Sequence, residues 1–392
     1  MTGQERGEGP VDTGRTGFQA EIPYRPEARM AAGQHPYEDG GGARPDGDRA
    51  GARRPDDDRS GTRRPDDDRS GTRPDASLDV LTIGRTGVDL YPLESGVPLA
   101  RVERFGKFLG GSATNVAVAA ARLGLRAAVI TRTGADPFGT FVRDELRALG
   151  VGTEHVAEVP GLLTPVTFCE LHPPDDFPLL FYRLPKAPDL EIRADELDHE
   201  AVRGARVFWT TGTGLCAEPS RSATLAALAE RHAAAPGALT VFDLDWRPMF
   251  WESRAEARPA YARALRHASV AVGNLTECEV ATGATTPRAC ADALLEAGVA
   301  LAVVKQGPAG VLAAHRDGTV VEVAPLPVKV VNGLGAGDAF GGALCEGLLA
   351  GRPLAETIRF ANAAGAIVAG RLECSTAMPY PHEVREALAA AG

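Results

Sequence analysis

Near the end of the chain, Asn332-Gly333-Leu334-Gly335-Ala336-Gly337-Asp338 combines three glycines with one carboxylate. The β-branched run Val328-Lys329-Val330-Val331 precedes it, and the small residues Ala339-Phe340-Gly341-Gly342-Ala343-Leu344 follow. This pattern predicts a strand, a tight turn and a helix. Glycines let backbone N–H groups approach an anion because no Cβ intervenes. A helix start adds unpaired donors and the positive end of a dipole. A carboxylate there repels a phosphate, so Asp338 reads as a base that takes a hydroxyl proton while the neighbouring N–H groups hold a phosphoryl group. An ordinary glycine-rich turn whose Asp caps the helix fits the same residues.

Other positions could serve the same chemistry. Asp79-Val80-Leu81-Thr82-Ile83-Gly84 reads as a strand, and Asp89 follows Gly84 at a spacing that sets a carboxylate near the strand's carboxyl end, where it could hold two sugar hydroxyls. Gly110-Gly111-Ser112-Ala113-Thr114-Asn115 opens a helix expected over 116–123. Its glycines expose backbone to a ligand, Asn115 offers a donor and an acceptor, and Ser112 or Thr114 could cap the helix. Arg183 ends a short strand and could hold an anion, or be a solvated edge residue. Asp243-x-Asp245-x-Arg247 lies at another strand end, a pattern suited to anion and hydroxyl recognition. Asn274-x-x-Glu277 fits a capping box and also a carboxylate placing a hydrated Mg²⁺. Lys305 ends a buried strand before Gln306-Gly307-Pro308-Ala309-Gly310. Asn362 sits among tiny residues on a helix over 354–368, a flat surface for a planar base or for tight helix packing.

These residues need a scaffold that brings strand ends together. From Leu78 onward, apolar strands alternate with helices, which implies a parallel sheet with right-handed crossovers. The fold class is α/β, doubly wound, with helices on both faces. Residues 164–184 break the pattern as short strands around His172-Pro173-Pro174-Asp175-Asp176, read as a small antiparallel β lid over a cleft. Asp317-Gly318 marks a hairpin. Residues 1–77 are rich in Gly, Pro, Arg and Asp, and Gly51–Ser60 is nearly repeated as Gly61–Ser70. Too little apolar surface is present there to offset ordering entropy, so a disordered tail is expected, inert or an interaction arm.

Composition excludes several classes. A net charge of -10 leaves nothing to offset repulsion from nucleic-acid phosphates. The six cysteines form no C-x-x-C pair, which argues against a zinc site or disulfide framework and fits a reducing cytoplasm. No long apolar run suggests a membrane span.

Together, Gly110-Gly111-Ser112-Ala113-Thr114-Asn115 and Gly335-Ala336-Gly337-Asp338, with Asn274-x-x-Glu277 and Lys305-x-Gly307 at strand ends, resemble the PfkB, or ribokinase-like, family of sugar kinases. The likeness runs from Leu78 to Pro381, a kinase domain within 78–392 with lid strands in about 88–110 and 164–184. The resemblance implies ATP and Mg²⁺. It implies an anion hole at Gly335, Ala336 and Gly337, with Asp338 as base. Asp89, Gly110, Gly111 and Asn115 would hold the sugar. Asn274, Lys305, Gly307, Gly310 and Asn362 would line the ATP side, and Glu277 would help place Mg²⁺. Tyr182-Arg183 and Asp245-Trp246-Arg247-Pro248-Met249-Phe250-Trp251 resemble kinases of keto-deoxy sugar acids, in which Arg183 and Arg247 would pair with a carboxylate. Thr211-Gly212-Thr213, Asp243-x-Asp245-x-Arg247-Pro248 and Ser375-x-Ala377-Met378-Pro379 look most like the inositol-catabolism branch, the 5-dehydro-2-deoxygluconokinases. The alternatives are a 2-dehydro-3-deoxygluconokinase or other sugar kinase, and a sugar- or nucleotide-binding regulator without catalysis. Asn332-Gly333 stands where the family has Asp-Thr, and Glu373-Cys374-Ser375 lacks a usual glycine. Both departures touch a K⁺ site of many relatives and put K⁺ activation in doubt. Family lids often pair two subunits, so a homodimer is possible on this resemblance.

Overall fold

A computed structural model describes residues 77–391. The tail with its decapeptides lies outside the described residues, apart from Ser77. The first strand, β1 (Val80–Ile83), leads to the pair β2 (Gly87–Pro92) and β3 (Phe105–Gly110), then to helix α1 (Ser112–Arg122). Strand β4 (Ala127–Gly134), helix α2 (Pro137–Ala148) and short strands β5 (Val151–Gly152) and β6 (Val156–Val159) follow, then the pair β7 (Val166–Cys169) and β8 (Leu179–Tyr182). Alternation resumes with α3 (His199–Gly204), β9 (Val207–Thr211), α4 (Ser220–Ala234), β10 (Leu239–Asp243), α5 (Arg254–Leu265), β11 (Val270–Asn274), α6 (Leu275–Thr282), α7 (Pro287–Glu296) and β12 (Leu301–Lys305). The hairpin β13 (Val311–His315) and β14 (Val320–Val323) precedes α8 (Ala336–Leu349), α9 (Leu354–Ala369) and α10 (Pro381–Ala391).

The large sheet runs β14-β13-β12-β11-β10-β9-β1-β4-β5, with β6 also on β4. Its strands are parallel from β12 to β5, and the hairpin adds two antiparallel strands at one edge. These strands are apolar on both faces, as a sheet covered on both sides requires. Val80, Val129, Val207, Trp209, Val272 and Val303 pack with α1, α2, α8, α9 and α10. Leu81, Ile130, Phe208, Phe242, Ala271 and Val304 pack on the other face with helices α3 to α7. The chain crosses from β1 outward to β4 and later returns to β9 on the other side of β1. Open α/β sheets bind ligands where strand order reverses in this way. Among the described residues no helix is long and apolar enough to cross a membrane.

A second sheet, β3-β2-β7-β8, stands apart. Its outer pairs are antiparallel and its central pair, β2 with β7, is parallel.

Three local expectations change. Val328–Val331 forms no strand; the N–H groups of Val331 and Asn332 instead meet the carbonyl of Ala369 at the end of α9. Helix α1 starts at Ser112, and neither Ser112 nor Thr114 caps it. Asp89, expected near the carboxyl end of β1, lies on a strand of its own, β2, because Gly87–Pro92 has strand partners on both sides.

Candidate active site

Asp338 lies in the first turn of α8, whose N-cap is Gly335 at φ +78°. That left-handed geometry needs glycine. The turn's N–H groups at Gly335, Ala336 and Gly337 have no protein acceptor among the described residues, as expected ahead of the first helical hydrogen bond, from Ala339 to Gly335. A methyl added at Gly337 would stand 3.0 Å from Lys305 Nζ, so the ammonium at the end of β12 flanks these amides. Burial alone would lower the Lys305 pKa, but Asp243, Glu277, Asp338 and Asp245 carry it above the ordinary lysine value.

The Asn115 amide on α1 donates to Asp338 Oδ2 at 2.8 Å. Its Oδ1 lies 2.5 Å from the Ser375 hydroxyl, which also sits 2.7 Å from the Leu109 carbonyl. A carboxylate on one side and a hydroxyl on the other fix which way the amide faces. Burial pushes Asp338 up to about 6, with Asp245 adding and Asn115, Arg85 and Arg247 opposing. The result is a carboxylate that ionises near neutral pH beside a set of free amides.

Asp89 lies on β2 of the small sheet. Burial raises its pKa, against the Tyr91 hydroxyl that donates to it at 2.6 Å and the charge of Arg85. The Tyr91 oxygen lies 2.9 Å from Cys374 Sγ. Two glycines leave room for these groups. A methyl at Gly110 would lie 2.2 Å from the Asp89 carboxylate, and one at Gly111, at φ +108°, would lie 2.4 Å from the Arg85 carbonyl. Gly110→Ala is therefore expected to displace the Asp89 carboxylate and to cost about 1–3 kcal/mol, as overpacking does. A lower melting temperature would check it.

Asp245 completes the cluster. It has φ +26°, the one positive φ outside glycine among the described residues. Such strain persists where surroundings over-determine it and gathers at functional sites. Its Oδ1 accepts from Arg247 Nε at 2.9 Å; its Oδ2 accepts from Ser112 at 2.6 Å and Thr213 at 3.0 Å. Arg247 is held charged, above the ordinary arginine value, by Asp245, Glu277, Asp338 and Asp243 against the effect of burial. Burial drives Asp243 well above the ordinary range, Lys305 opposing.

Among the described residues Arg183 makes no hydrogen bond or ion pair with this cluster. Its Nη2 donates to buried Asp189 at 2.7 Å and its guanidinium lies over Phe250 at 5.1 Å. Glu277 and Asn274 form the capping box of α6, at 2.7 and 2.9 Å. Gly310, at φ +92°, also has a packing reason, since a methyl there would lie 2.1 Å from the Val323 carbonyl. Gly307 lies just before it, past Lys305. Asn362 donates to the Ala324 carbonyl at 2.9 Å. A cleft of about 860 Å³ between residues 322–327 and helices α9 and α10 shares Asn362 but not Asp89, Asp243, Asp245, Glu277 or Asp338. Sequence reasoning did not assign Arg85, Tyr91, Ser375 or the anchoring role of Asp245. Arg85 follows the first strand directly, which was the available signal.

No three His, Cys, Asp or Glu side chains among the described residues are grouped to cage a metal. Asp243, Glu277, Asp245 and Asp338 still feel one another's charge. Scattered carboxylates beside an anion cradle suit Mg²⁺, which keeps its waters and binds substrate phosphates.

The fold is that of a ribokinase-like sugar kinase. The chain belongs to the pfkB family of carbohydrate kinases, whose family model matches residues 77–381. It is 34% identical over 311 residues to a 5-dehydro-2-deoxygluconokinase of Photobacterium profundum, covering 78% of this chain and 93% of that one. It is 30% identical over 313 residues to the enzyme of the same name from Clostridium perfringens, covering 79% and 92%. A fructokinase double mutant from Vibrio cholerae, solved with fructose, ADP and potassium ion, superposes with TM-score 0.71 at 27% identity, over 80% of this chain and 99% of that one.

Proposed function

We propose that this kinase transfers the γ-phosphoryl group of ATP to the terminal hydroxyl of a deoxy keto sugar acid, 5-dehydro-2-deoxy-D-gluconate of myo-inositol catabolism. One observation carries the reading: an Asn115-held carboxylate at Asp338 beside free helix-start amides, with the guanidinium of Arg247 turned to the same cluster. Asp89, Gly110, Gly111 and Asn115 orient the sugar. Asp338 accepts the proton as the hydroxyl oxygen bonds to phosphorus, and the bond to ADP breaks. The amides of Gly335, Ala336 and Gly337 and the Lys305 ammonium take up charge on the transferring group, where positioning and neutralisation do most of the work. Asn274, Gly307, Gly310 and Asn362 line the nucleotide side. Bound Mg²⁺ would supply charge neutralisation on the ATP phosphates, with Glu277 reaching it through water.

The names of the relatives and the paired acid and arginine at 245 and 247 support a sugar acid over a neutral sugar. The test is coupled ADP release over a panel of keto-deoxy sugar acids, neutral sugars and nucleosides. Highest kcat/KM on 5-dehydro-2-deoxygluconate is expected. Preference for 2-dehydro-3-deoxygluconate would move the assignment to the neighbouring branch, activity on ribose or fructose alone would overturn it, and no turnover on any would favour a binding regulator.

Two narrower readings accompany it. The Asn332 amide donates to the Leu372 carbonyl at 2.7 Å and its oxygen accepts from Leu334 at 3.0 Å, so a neutral, already bonded side chain occupies that turn. Equal turnover in K⁺ and Na⁺ is the expected result, and stimulation by K⁺ would reject it. Leu180, Tyr182 and Leu184 are exposed along the edge strand β8 and just beyond it. An apolar edge of this kind invites pairing with a second copy. Light scattering should give twice the chain mass, and Leu180→Glu with Leu184→Glu should return it to the monomer value.

A further inference from the structure

Asp245 organises two guanidiniums unequally. Arg247 takes Oδ1 at 2.9 Å. Arg85 approaches Oδ2 only to 3.9 Å, where Ser112 and Thr213 already donate. Arg85 Nε is buried and makes no hydrogen bond, and the whole side chain is 11% exposed. Its charge acts on Asp89, Asp245 and Asp338, yet none of the three bonds to it. The guanidinium lies 5.7 Å from the centre of the Phe181 ring on β8, on the side of the small sheet. Arg183, by contrast, donates to Asp189 at 2.7 Å.

A buried charged donor without an acceptor is costly, and an incoming ligand that supplies one removes that cost. The acceptor must be anionic and planar enough to meet a guanidinium fork, as a carboxylate does. Lys305 already flanks the amide cradle. Arg85 instead stands by Asp89 and Phe181 on the sugar side.

We propose that Arg85, with the free edge of Arg247, binds the carboxylate of the sugar acid and so sets the preference for acids, and that Asp245 is the positioning residue for both. The inference rests on the sugar-acid reading above.

The experiment compares kcat/KM on 5-dehydro-2-deoxygluconate with that on the same deoxyketose carrying a carboxamide in place of the carboxylate, for wild type, Arg85→Met and Arg85→Lys. Arg85→Met should lower the acid-to-amide ratio by roughly 10- to 100-fold, chiefly through KM for the acid, with KM for ATP unchanged. Arg85→Lys keeps the charge without the fork and should recover only part of the ratio; it also gives the answer if the methionine variant does not fold. An unchanged ratio would overturn the assignment. An equal fall in kcat on both substrates would also overturn it and move Arg85 to the transferring phosphoryl group. Wild type with no activity on the acid would instead defeat the sugar-acid reading, an outcome visible before any variant is made.

Discussion

Replacing Asp338 by asparagine is expected to lower kcat by about 10²–10⁴, the usual worth of a positioned general base. The substitution keeps the shape, and the Asn115 amide still finds an oxygen where Oδ2 now stands. The ability to take a proton is lost. KM for ATP should not change, because the amides and Lys305 remain. In the parent enzyme kcat/KM should rise with pH through an apparent pKa of about 6, since burial holds the carboxyl protonated below it. The residual activity of the variant should lack that limb. Stability moves the other way. A carboxyl raised from 3.8 to about 6 on folding contributes stability that is fully present below pH 3.8 and lost as pH rises through 6. At neutral pH the carboxylate is then a burden of at most roughly 1–3 kcal/mol, an upper bound because Asp338 is only half-buried. Asp338→Asn should melt no lower than wild type at pH 7, which separates lost chemistry from lost folding. Undiminished turnover would reject Asp338 as base.

Gly335→Ala should lower kcat by about 10²–10³, the loss seen when an oxyanion-type donor is removed. Two causes coincide. The residue sits at φ +78°, where a side chain is strained, and a methyl would lie 2.8 Å from both Cβ and Sγ of Cys374. Cys374 is buried and bonded through Tyr91 to Asp89. Relief must therefore shift either the amide cradle or the Cys374–Tyr91–Asp89 chain, and both belong to the site proposed above. A lower melting temperature should accompany the kinetic loss. Gly351→Ala is the control, because Gly351 has φ +65° but nothing within 4 Å of an added methyl. It should cost stability alone. Equal kinetic loss in both variants would mean that general destabilisation, not the cradle, was measured.

Much of the scaffold was legible from local pattern. Apolar runs such as Val270–Gly273 and Leu301–Val304 read as buried strands, and Asp317-Gly318 as a hairpin turn, and both formed. The Gly335–Asp338 stretch announced a helix start with an acid in its first turn, because glycine's permissive backbone and the unpaired first-turn amides are properties of neighbouring residues. Side-chain partners were a different matter. Asn115 and Asp338 are 223 residues apart and meet because α1 and α8 pack side by side on one face of the sheet. Val328–Val331 read as a strand from its β-branched residues, yet its end pairs with the last turn of α9 instead of with another strand. Arg183 and Arg247 carried equal promise in the sequence. Folding set Asp189 against the first and the Asp245 cluster against the second, and left Arg85 without an acceptor. Residue type and short-range spacing determine backbone geometry and chemical potential. Which charges cancel and which stay available depends on the order of strands in the sheet, and distant segments decide that.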